Sequence, residues 1–256
     1  MNILNQIAES RKEDLSKLRE IIRNFQALGL NPQDNKRSPL SVALSLRKEV
    51  GIIAEIKPAS PSKGDLIPSQ PLDNPLSPTL TNIAEIASRM VNGGALALSI
   101  LTEPRKFKGS FGNLKAASET VPRDIPVLMK DFVIDETQLK LGKICGASNA
   151  LLIASICDPL EMAKMMIDNG LEPLIEIHDR EDLEKTRPLA QSGLKFVIGV
   201  NNRNLRDLST SFTPTIELIP LIQEIFGANQ PIISESGIFT RADMIRVEQT
   251  DRKSVV

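Results

Sequence analysis

The sequence predicts an α/β protein whose core is a parallel β-sheet, and three observations support this fold class. From Gly51 onward, short apolar runs alternate with longer amphipathic stretches. Each run holds about six residues rich in Ile, Leu and Val, which is typical of strands buried on both faces of a parallel sheet. The regular alternation of these runs with helical segments indicates βα units, and a chain of 256 residues can form one such domain.

The candidate strands are seven apolar runs, at 52–57, 96–101, 127–131, 150–155, 173–178, 197–202 and 231–236. Helices are predicted between them, over 83–91, 136–143, 160–169, 181–187 and 215–226. Seven strands are one short of a closed eight-stranded barrel. A doubly wound open sheet shows the same alternation, so the pattern alone fits both architectures.

We expect a single domain over 1–250, of which 1–50 forms an N-terminal helical extension. Apolar residues recur at three- and four-residue steps over 3–26, with charges between them. This spacing predicts an amphipathic helix that covers a core, and we expect no catalytic role for it.

A proline-rich stretch follows the first predicted strand. Residues 66–82 contain four prolines, at positions 68, 71, 75 and 78. Proline lacks a backbone N–H donor and resists helix formation, so a long surface loop is predicted. A tolerated insertion is favoured over the alternative, a lid over an active site.

Composition excludes several classes of protein. A formal net charge of −1 and a pI of about 6.0 argue against nucleic-acid binding and against a polybasic membrane surface. No apolar run approaches the ~18 residues of a membrane span, and the N-terminus does not resemble a secretory signal. We therefore expect a soluble protein in the cytoplasm, with a plastid as the alternative.

Cysteine and histidine usage limits the chemistry. Cys145 and Cys157 have no metal-binding spacing, and His178 is the only histidine. Acid–base chemistry is therefore expected from Lys, Glu or Asp.

Polar residues recur near the carboxyl ends of five predicted strands; they are Glu55, Lys57, Lys130, Glu176, Asn201, Arg203, Glu235 and Ser236. Glu55 and Lys57 are two residues apart, so their side chains leave the strand on the same face. Parallel α/β enzymes place their sites at this end of the sheet. A structural ion pair would explain Glu55 and Lys57, but it does not explain polar residues at the same end of five strands. Ser236 and Gly237 also stand where barrels commonly bind phosphate, although a Ser-Gly pair alone is a weak signal.

Six blocks of the sequence, in order, resemble the indole-3-glycerol phosphate synthase family. They are IAEIKPASPSKG at 53–64, LSILTE at 98–103 with FKGS at 107–110, PVLMKDF at 126–132, EPLIEIH at 172–178, IGVNNRNL at 198–205 and SESGI at 234–238. The resemblance covers residues 3–240 and implies a (β/α)8 barrel. It also implies the conversion of 1-(2-carboxyphenylamino)-1-deoxyribulose 5-phosphate to indole-3-glycerol phosphate in tryptophan biosynthesis, with release of carbon dioxide and water. Neither a metal nor an organic cofactor is implied.

The resemblance also implies roles for the charged residues. By position, Lys130 corresponds to the general acid that protonates the keto oxygen of the substrate as the ring closes. Lys57 corresponds to the residue that holds the anthranilate carboxylate and serves as a second acid. Glu176 and Glu55 would stabilise developing positive charge and assist dehydration.

The remaining matched positions imply substrate contacts. Asn201 and Arg203 would orient the hydroxyls and the anionic end of the substrate, and the Gly237 amide would bind phosphate. Pocket-lining positions are Ser60, Phe107, Phe132 and Ser236. His178 is interpreted as a structural residue, or one that supports Glu176, rather than as a proton carrier.

The C-terminus departs from the family pattern. The family continues after the seventh strand with a helix and an eighth strand that completes the phosphate site. Residues 239–245 are consistent with the start of that helix, but residues 251–256 contain no apolar run and no glycine. They can be encoded by the start of a common sequencing adapter, so we expect a missing eighth strand and a non-native tail over 251–256. Unpaired strand edges would then make the chain poorly stable, with little or no activity.

Other functions compete with this one. Another phosphate-binding barrel, such as phosphoribosylanthranilate isomerase, would be expected to use a Cys/Asp pair. A barrel-shaped interaction module or an inactive truncated barrel would not need the full set of charges, which is present. The expected partner is a small phosphorylated substrate, and fusion to another tryptophan-pathway domain stays open.

Overall fold

The computed structural model describes residues 3–27, 36–47, 49–72, 74–204, 209–249 and 254–255. Within them, eight parallel strands close into a barrel. The strands are β1 (Gly51–Ile56), β2 (Ala97–Leu101), β3 (Val127–Lys130), β4 (Asn149–Ile153), β5 (Glu172–Ile177), β6 (Val197–Asn201), β7 (Ile232–Glu235) and β8 (Ser254–Val255). The barrel, and not the open sheet, is therefore the observed architecture.

The expectation of a missing eighth strand is wrong. Ser254 and Val255 pair in parallel with Gly51 and Ile52 of β1 on one side. They also pair with β7 on the other side, through Ile233 and Ser234. Backbone amides and carbonyls form the ladder whatever the side chains are, so a strand here does not require an apolar run. Residues 251–253 and 256 lie outside the described part of the chain, and the non-native origin of the tail stays a prediction.

Helices surround the sheet and follow the strands. Three precede β1, where a single helix was predicted over 3–26: α1 (Ile3–Lys12), α2 (Leu15–Ala27) and α3 (Leu40–Ser45). The others are α4 (Ile83–Asn92), α5 (Phe111–Thr120), α6 (Glu136–Ile144), α7 (Pro159–Asp168), α8 (Arg180–Thr186), α9 (Thr213–Phe226) and α10 (Arg241–Gln249), with a 3-10 turn at Arg187–Gln191. None of the helices in these described stretches combines the length and apolarity of a bilayer span.

Four helices start at capping residues that their sequences supply. Ser110 accepts a hydrogen bond from the Asn113 amide at the start of α5, and Asp158 and Asp179 cap α7 and α8 in the same way. Asp135 caps α6, where Gln138 completes a capping box. These side chains satisfy backbone donors that have no partner within the helix, and they fix where each helix begins after its strand.

The barrel interior is apolar toward the amino ends of the strands and charged toward their carboxyl ends. Ile53, Leu128, Leu174, Val197 and Ile233 belong to one buried apolar cluster. Side chains alternate between the two faces of a strand, so the interior position two residues further along each of these strands lies nearer the carboxyl end. Those positions carry Glu55, Lys130, Glu176, Gly199 and Glu235. The strands therefore aim their charges into one end of the barrel.

The proline-rich stretch lies against the outside of the barrel. The Gly112 amide donates to the Pro75 carbonyl at 3.2 Å, and Asn113 Oδ1 accepts from the Thr79 and Leu80 amides at 2.9 and 3.2 Å. The loop is thus anchored on the first turn of α5. Leu66 is the one described residue of 66–82 that lines the central cavity, so these contacts agree with a surface loop rather than a lid.

Candidate active site

A cavity of about 330 Å³ opens at the carboxyl ends of the strands. All eleven residues for which the sequence predicts a catalytic or substrate-binding role line it: Glu55, Lys57, Ser60, Phe107, Lys130, Phe132, Glu176, Asn201, Arg203, Ser236 and Gly237. They lie on β1, β3, β5 and β6 and in the segments that follow β1, β2, β3, β6 and β7. The structure therefore brings the predicted set together in one place.

Lys130 is the centre of the charged cluster. Its Nζ lies 3.4 Å from Glu176 Oε2 and donates a short hydrogen bond to Glu235 Oε2. The Lys130 side chain is 15% exposed, and those of Glu176 and Glu235 are 5% and 1% exposed. Burial alone would favour the neutral amine, but Glu235, Glu176 and Glu55 outweigh it and raise the pKa of Lys130. A protonated acid is therefore held at the cavity floor at neutral pH.

Glu55 and Lys57 form an ion pair on the cavity wall. Lys57 Nζ donates to Glu55 Oε1, and Ser99 Oγ lies 3.3 Å from Glu55 Oε2. Burial opposes the charge on Glu55, but Lys130 and Lys57 prevail and lower its pKa. Lys57 is 31% exposed and Glu55 17%, so the ammonium group is the more accessible member of the pair. The structural ion pair weighed for these residues is present, and it also faces the cavity.

Glu176 lies between Lys130 and His178. Lys130 approaches one carboxylate oxygen, and His178 Nε2 lies 3.2 Å from the other. Burial would raise the pKa of Glu176, but Lys130, His178 and a hydrogen bond from Asn201 lower it instead. Glu176 is therefore a carboxylate at neutral pH.

Glu235 is a site residue for which the sequence analysis offered no role. Burial, reinforced by the nearby charges of Glu176 and Glu55 and opposed by Lys130, raises the pKa of Glu235 to about 7. Its Oε1 atom is buried without a hydrogen-bond partner among the described residues. Gly199 makes room for it, because a Cβ added there would fall closer than 3.0 Å to this oxygen. Glu235 is one of the polar residues that the sequence places at the strand ends, and its two-residue step from Ile233 puts it on the interior face of the strand.

A tight turn after β7 forms the side of the cavity where phosphate binding was predicted. Ser236 and Gly237 both have left-handed backbone conformations, with φ of 65° and 80°. Such a conformation is uncommon for serine and often marks a functional site. Asn202 fixes the turn, since its Nδ2 donates to Ser234 Oγ at 2.9 Å and to the Ser236 carbonyl at 3.2 Å. Across the cavity mouth, Lys63 Nζ lies 5.3 Å from the centre of the Phe239 ring.

The opposite wall is apolar. The Phe107 and Phe132 rings lie 6.1 Å apart with 33° between their planes. Leu4 and Ile7 of α1 also line the cavity, so the N-terminal helix forms part of the site as well as covering the core. This contribution could not be predicted from the sequence, because amphipathic spacing shows that a helix packs but not where it packs.

Arg11 ties α1 to the strand that carries Lys130. Arg11 Nη2 lies 2.7 Å from Asp131 Oδ2, and the side chains are 2% and 0% exposed. Thr102 Oγ1 donates to the same carboxylate oxygen at 2.8 Å. Asp131 is the next residue after Lys130, so this buried pair fixes the end of β3.

No group of three or more His, Cys, Asp or Glu side chains suited to a metal ion occurs among the residues that the structure describes.

Comparisons with known proteins agree with this geometry. A family model described as "Indole-3-glycerol phosphate synthase" matches residues 4–256. Proteins of that name from Methanocaldococcus jannaschii and Exiguobacterium sibiricum are 37% and 35% identical to the chain. Each match covers 95% of the chain, and it covers 88% and 85% of the two relatives, respectively. A Campylobacter jejuni protein of the same name is 38% identical over 92% of the chain and 85% of its own length.

Solved structures share the fold at low sequence identity. Phosphoribosylanthranilate isomerase from Thermotoga maritima superposes with a TM-score of 0.55 at 14% identity, over 80% of this chain and 86% of that chain. An HpcH/HpaI aldolase from Desulfitobacterium hafniense gives a TM-score of 0.55 at 11% identity, over 85% and 89%. These two structures show a common barrel and nothing about chemistry. The extent and identity of the sequence matches are what decide the family: the chain belongs to the indole-3-glycerol phosphate synthases.

Proposed function

We propose that the protein catalyses the synthesis of indole-3-glycerol phosphate from 1-(2-carboxyphenylamino)-1-deoxyribulose 5-phosphate, with the residues of the cavity in defined roles. The observation that carries the proposal is the position of Lys130, a buried ammonium group between Glu176 and Glu235 on the cavity floor. A carbon–carbon condensation at a ketone needs such an acid beside the carbonyl oxygen.

The first step closes the ring. The aromatic carbon that bears the carboxylate attacks the keto carbon, and the electron pair of the C=O bond moves to oxygen. Lys130 donates its proton to that oxygen, which becomes a hydroxyl group. The cationic intermediate that results is stabilised by the fixed carboxylates of Glu55 and Glu176, which need no reorganisation as the charge develops.

Two eliminations complete the reaction. The bond to the carboxylate breaks, carbon dioxide leaves, and the bonding electrons restore the aromatic ring. The hydroxyl group then leaves as water with a proton from Lys57. A carboxylate, Glu176 or Glu55, accepts the proton from the carbon next to nitrogen, and the indole double bond forms.

The residues that line the cavity also suit the charges and the aromatic ring of this substrate. Lys57 provides a cation for the anthranilate carboxylate, and Arg203 and the Ser236–Gly237 turn provide donors for the phosphate end. The aromatic ring would pack against Phe107 and Phe132. Ser60 and Asn201 would contact its polar groups.

The experiment compares two buried lysines by following the fluorescence of the product. Lys130→Met should lower kcat by about 10²–10⁴-fold, the contribution of a positioned acid. Lys143→Met is the matched control, because Lys143 is also buried but lies on α6 and donates to the Gly170 carbonyl. It should keep kcat within about twofold. Wild-type protein without synthase activity, or equal kcat values for wild type and Lys130→Met, would overturn the proposal.

The isomerase alternative is weaker. The two cysteines are not among the residues that line the cavity, and burial raises the pKa of both thiols to about 12. A cysteine acid–base pair therefore has no place in this site. The same preparations should show no isomerisation of phosphoribosylanthranilate.

Further assignments are part of the same proposal. The relatives are bacterial and archaeal synthases, which supports action in the cytoplasm on a small phosphorylated substrate. A single domain over 1–250, a non-native tail over 251–256, and association with another tryptophan-pathway domain remain predictions. A longer sequence of the gene tests the tail: native codons in place of those for 251–256 would support it.

A further inference from the structure

His178 lies immediately behind the catalytic carboxylate. It follows Glu176 by two residues, so both side chains leave the chain on the same face. Its Nε2 atom lies 3.2 Å from Glu176 Oε1, and its Nδ1 atom lies 3.2 Å from Asp182 Oδ2. The imidazole ring is 10% exposed and is not among the groups that line the cavity.

Asp182 is a rigid support for this ring. Asp182 is 4% exposed in the first turn of α8, and its own amide donates to the cap residue Asp179 at 2.9 Å. Its Oδ2 atom also accepts a hydrogen bond from the His178 backbone amide at 3.0 Å. The carboxylate is therefore fixed to both the backbone and the ring of the same histidine.

We propose that His178 is a positioning residue. Anchored by Asp182, its imidazolium ring orients the Glu176 carboxylate and keeps it ionised beside Lys130. The proposal rests on the role given to Glu176 in the proposed function. It concerns a residue that does not touch the substrate and acts through one that does.

The contacts favour the doubly protonated ring. Both ring nitrogens face carboxylate oxygens, and a neutral imidazole carries only one N–H, so it would turn a lone pair toward one of the two anions. Burial opposes the charge, but Asp182 and Glu176 outweigh it and raise the pKa of His178 to about 10. Lys185, whose Nζ lies 3.9 Å from Asp182 Oδ1, is the other charged group on α8 near the pair.

Orientation follows from the division of the two Glu176 oxygens. His178 faces Oε1 and Lys130 faces Oε2, so the plane of the carboxylate is set by the two cations on either side. Without the ring, Glu176 keeps only one of these ion pairs. Its pKa then rises, and its carboxylate rotates more freely.

The first test uses the fact that the chain has one histidine. Protein labelled in the imidazole ring gives a single histidine signal, which needs no assignment. We expect that signal to report a charged ring throughout pH 5–8, and Asp182→Asn to bring its titration down toward the ordinary value near ~6.5. A wild-type ring that is neutral at pH 7 overturns the proposal, whether or not the protein has synthase activity.

The second test is kinetic. His178→Ala should lower kcat by about tenfold, the effect of losing one buried ion contact at 3.2 Å, and should leave KM within about threefold. The acid limb of the kcat–pH profile should move to higher pH, because Glu176 becomes easier to protonate. His178→Gln, which keeps a donor without the charge, should restore part of kcat but not the position of the limb.

The outcomes separate the two proposals. Absence of synthase activity in the wild type refutes the proposed function and leaves the ring titration to decide the charge of His178. An active His178→Ala variant with an unchanged pH profile refutes the positioning role, even if its Tm falls. Should His178→Ala fail to fold, Asp182→Asn replaces it in the kinetic test, with the same predicted shift of the acid limb.

Discussion

Gly199→Ala should disable the site without changing any group that touches the substrate. The added Cβ would lie closer than 3.0 Å to Glu235 Oε1, so the carboxylate must move by about 1 Å or more to reach an ordinary contact. Glu235 is 1% exposed and hydrogen-bonded to Lys130 through its other oxygen. A displacement of that size takes the pair beyond hydrogen-bond range.

The magnitude follows from the bond that is lost. A hydrogen bond to a charged group contributes about 1.5–3 kcal/mol, and each ~1.4 kcal/mol in the barrier is a factor of ten in rate. We therefore expect kcat to fall by about 10- to 100-fold. Overpacking of the barrel interior should also lower the free energy of unfolding by about 1–3 kcal/mol.

The assay is product fluorescence, with urea unfolding measured on the same preparations. Gly51→Ala is the matched control, because Gly51 begins β1 at the opposite end of the barrel and an added Cβ would meet Leu96 Cδ2 at 2.8 Å. It should lose stability and keep kcat within about twofold. Unchanged kcat in Gly199→Ala would refute the view that Glu235 holds Lys130 in place.

Three further predictions concern charges. Lys130→Met leaves several carboxylates buried without their cation, so besides losing activity it should be about 3–5 kcal/mol less stable in urea unfolding at pH 8. Glu235, with its pKa raised to about 7 from 4.5, keeps a proton in the folded state that the unfolded chain releases; the free energy of unfolding should therefore fall as pH rises from about 4.5 through 7. Glu235→Gln should flatten that decline in a series of Tm measurements, and an equally steep decline in the variant would contradict the assignment. Arg11→Met leaves Asp131 without its cation in the interior, so the free energy of unfolding should fall by about 3–5 kcal/mol and kcat should also fall. A loss of stability with an unchanged kcat would show that α1 does not position Lys130.

Much of the barrel could be predicted from local patterns. Each of the seven apolar runs overlaps an observed strand, because strands buried on both faces are largely apolar. The helix α5 is not among the predicted helices. Its buried positions include Asn113 and Ser118 as well as Phe111 and Leu114, so its apolar stripe is interrupted. The eighth strand was missed for a related reason, since only its backbone pairing, and not its side-chain pattern, marks it.

The site could be predicted as a set of residues but not as a set of interactions. Position at the carboxyl ends of parallel strands was enough to bring Glu55, Lys130 and Glu176 into one cavity. Which carboxylate bonds to Lys130, and how His178 contacts Glu176, depend on distances across the barrel that no local spacing encodes. The part played by α1 was hidden for the same reason, because Arg11 and Asp131 are 120 residues apart.

The short β8 gives the charged cluster of the cavity a role in barrel stability. With two residues, it joins the edges of β1 and β7 over only part of their length. Lys130 spans the lumen of the barrel from β3 to Glu235 on β7, and it attracts Glu55 on β1. These charges thus link β3 to β7 and β1, the two strands that only the short β8 joins. Neutralising Lys130 should therefore weaken the pairing of β8 with β1 and β7 first. Amide exchange near Ile53 and Ile233 should become faster before exchange in β4 and β5 does.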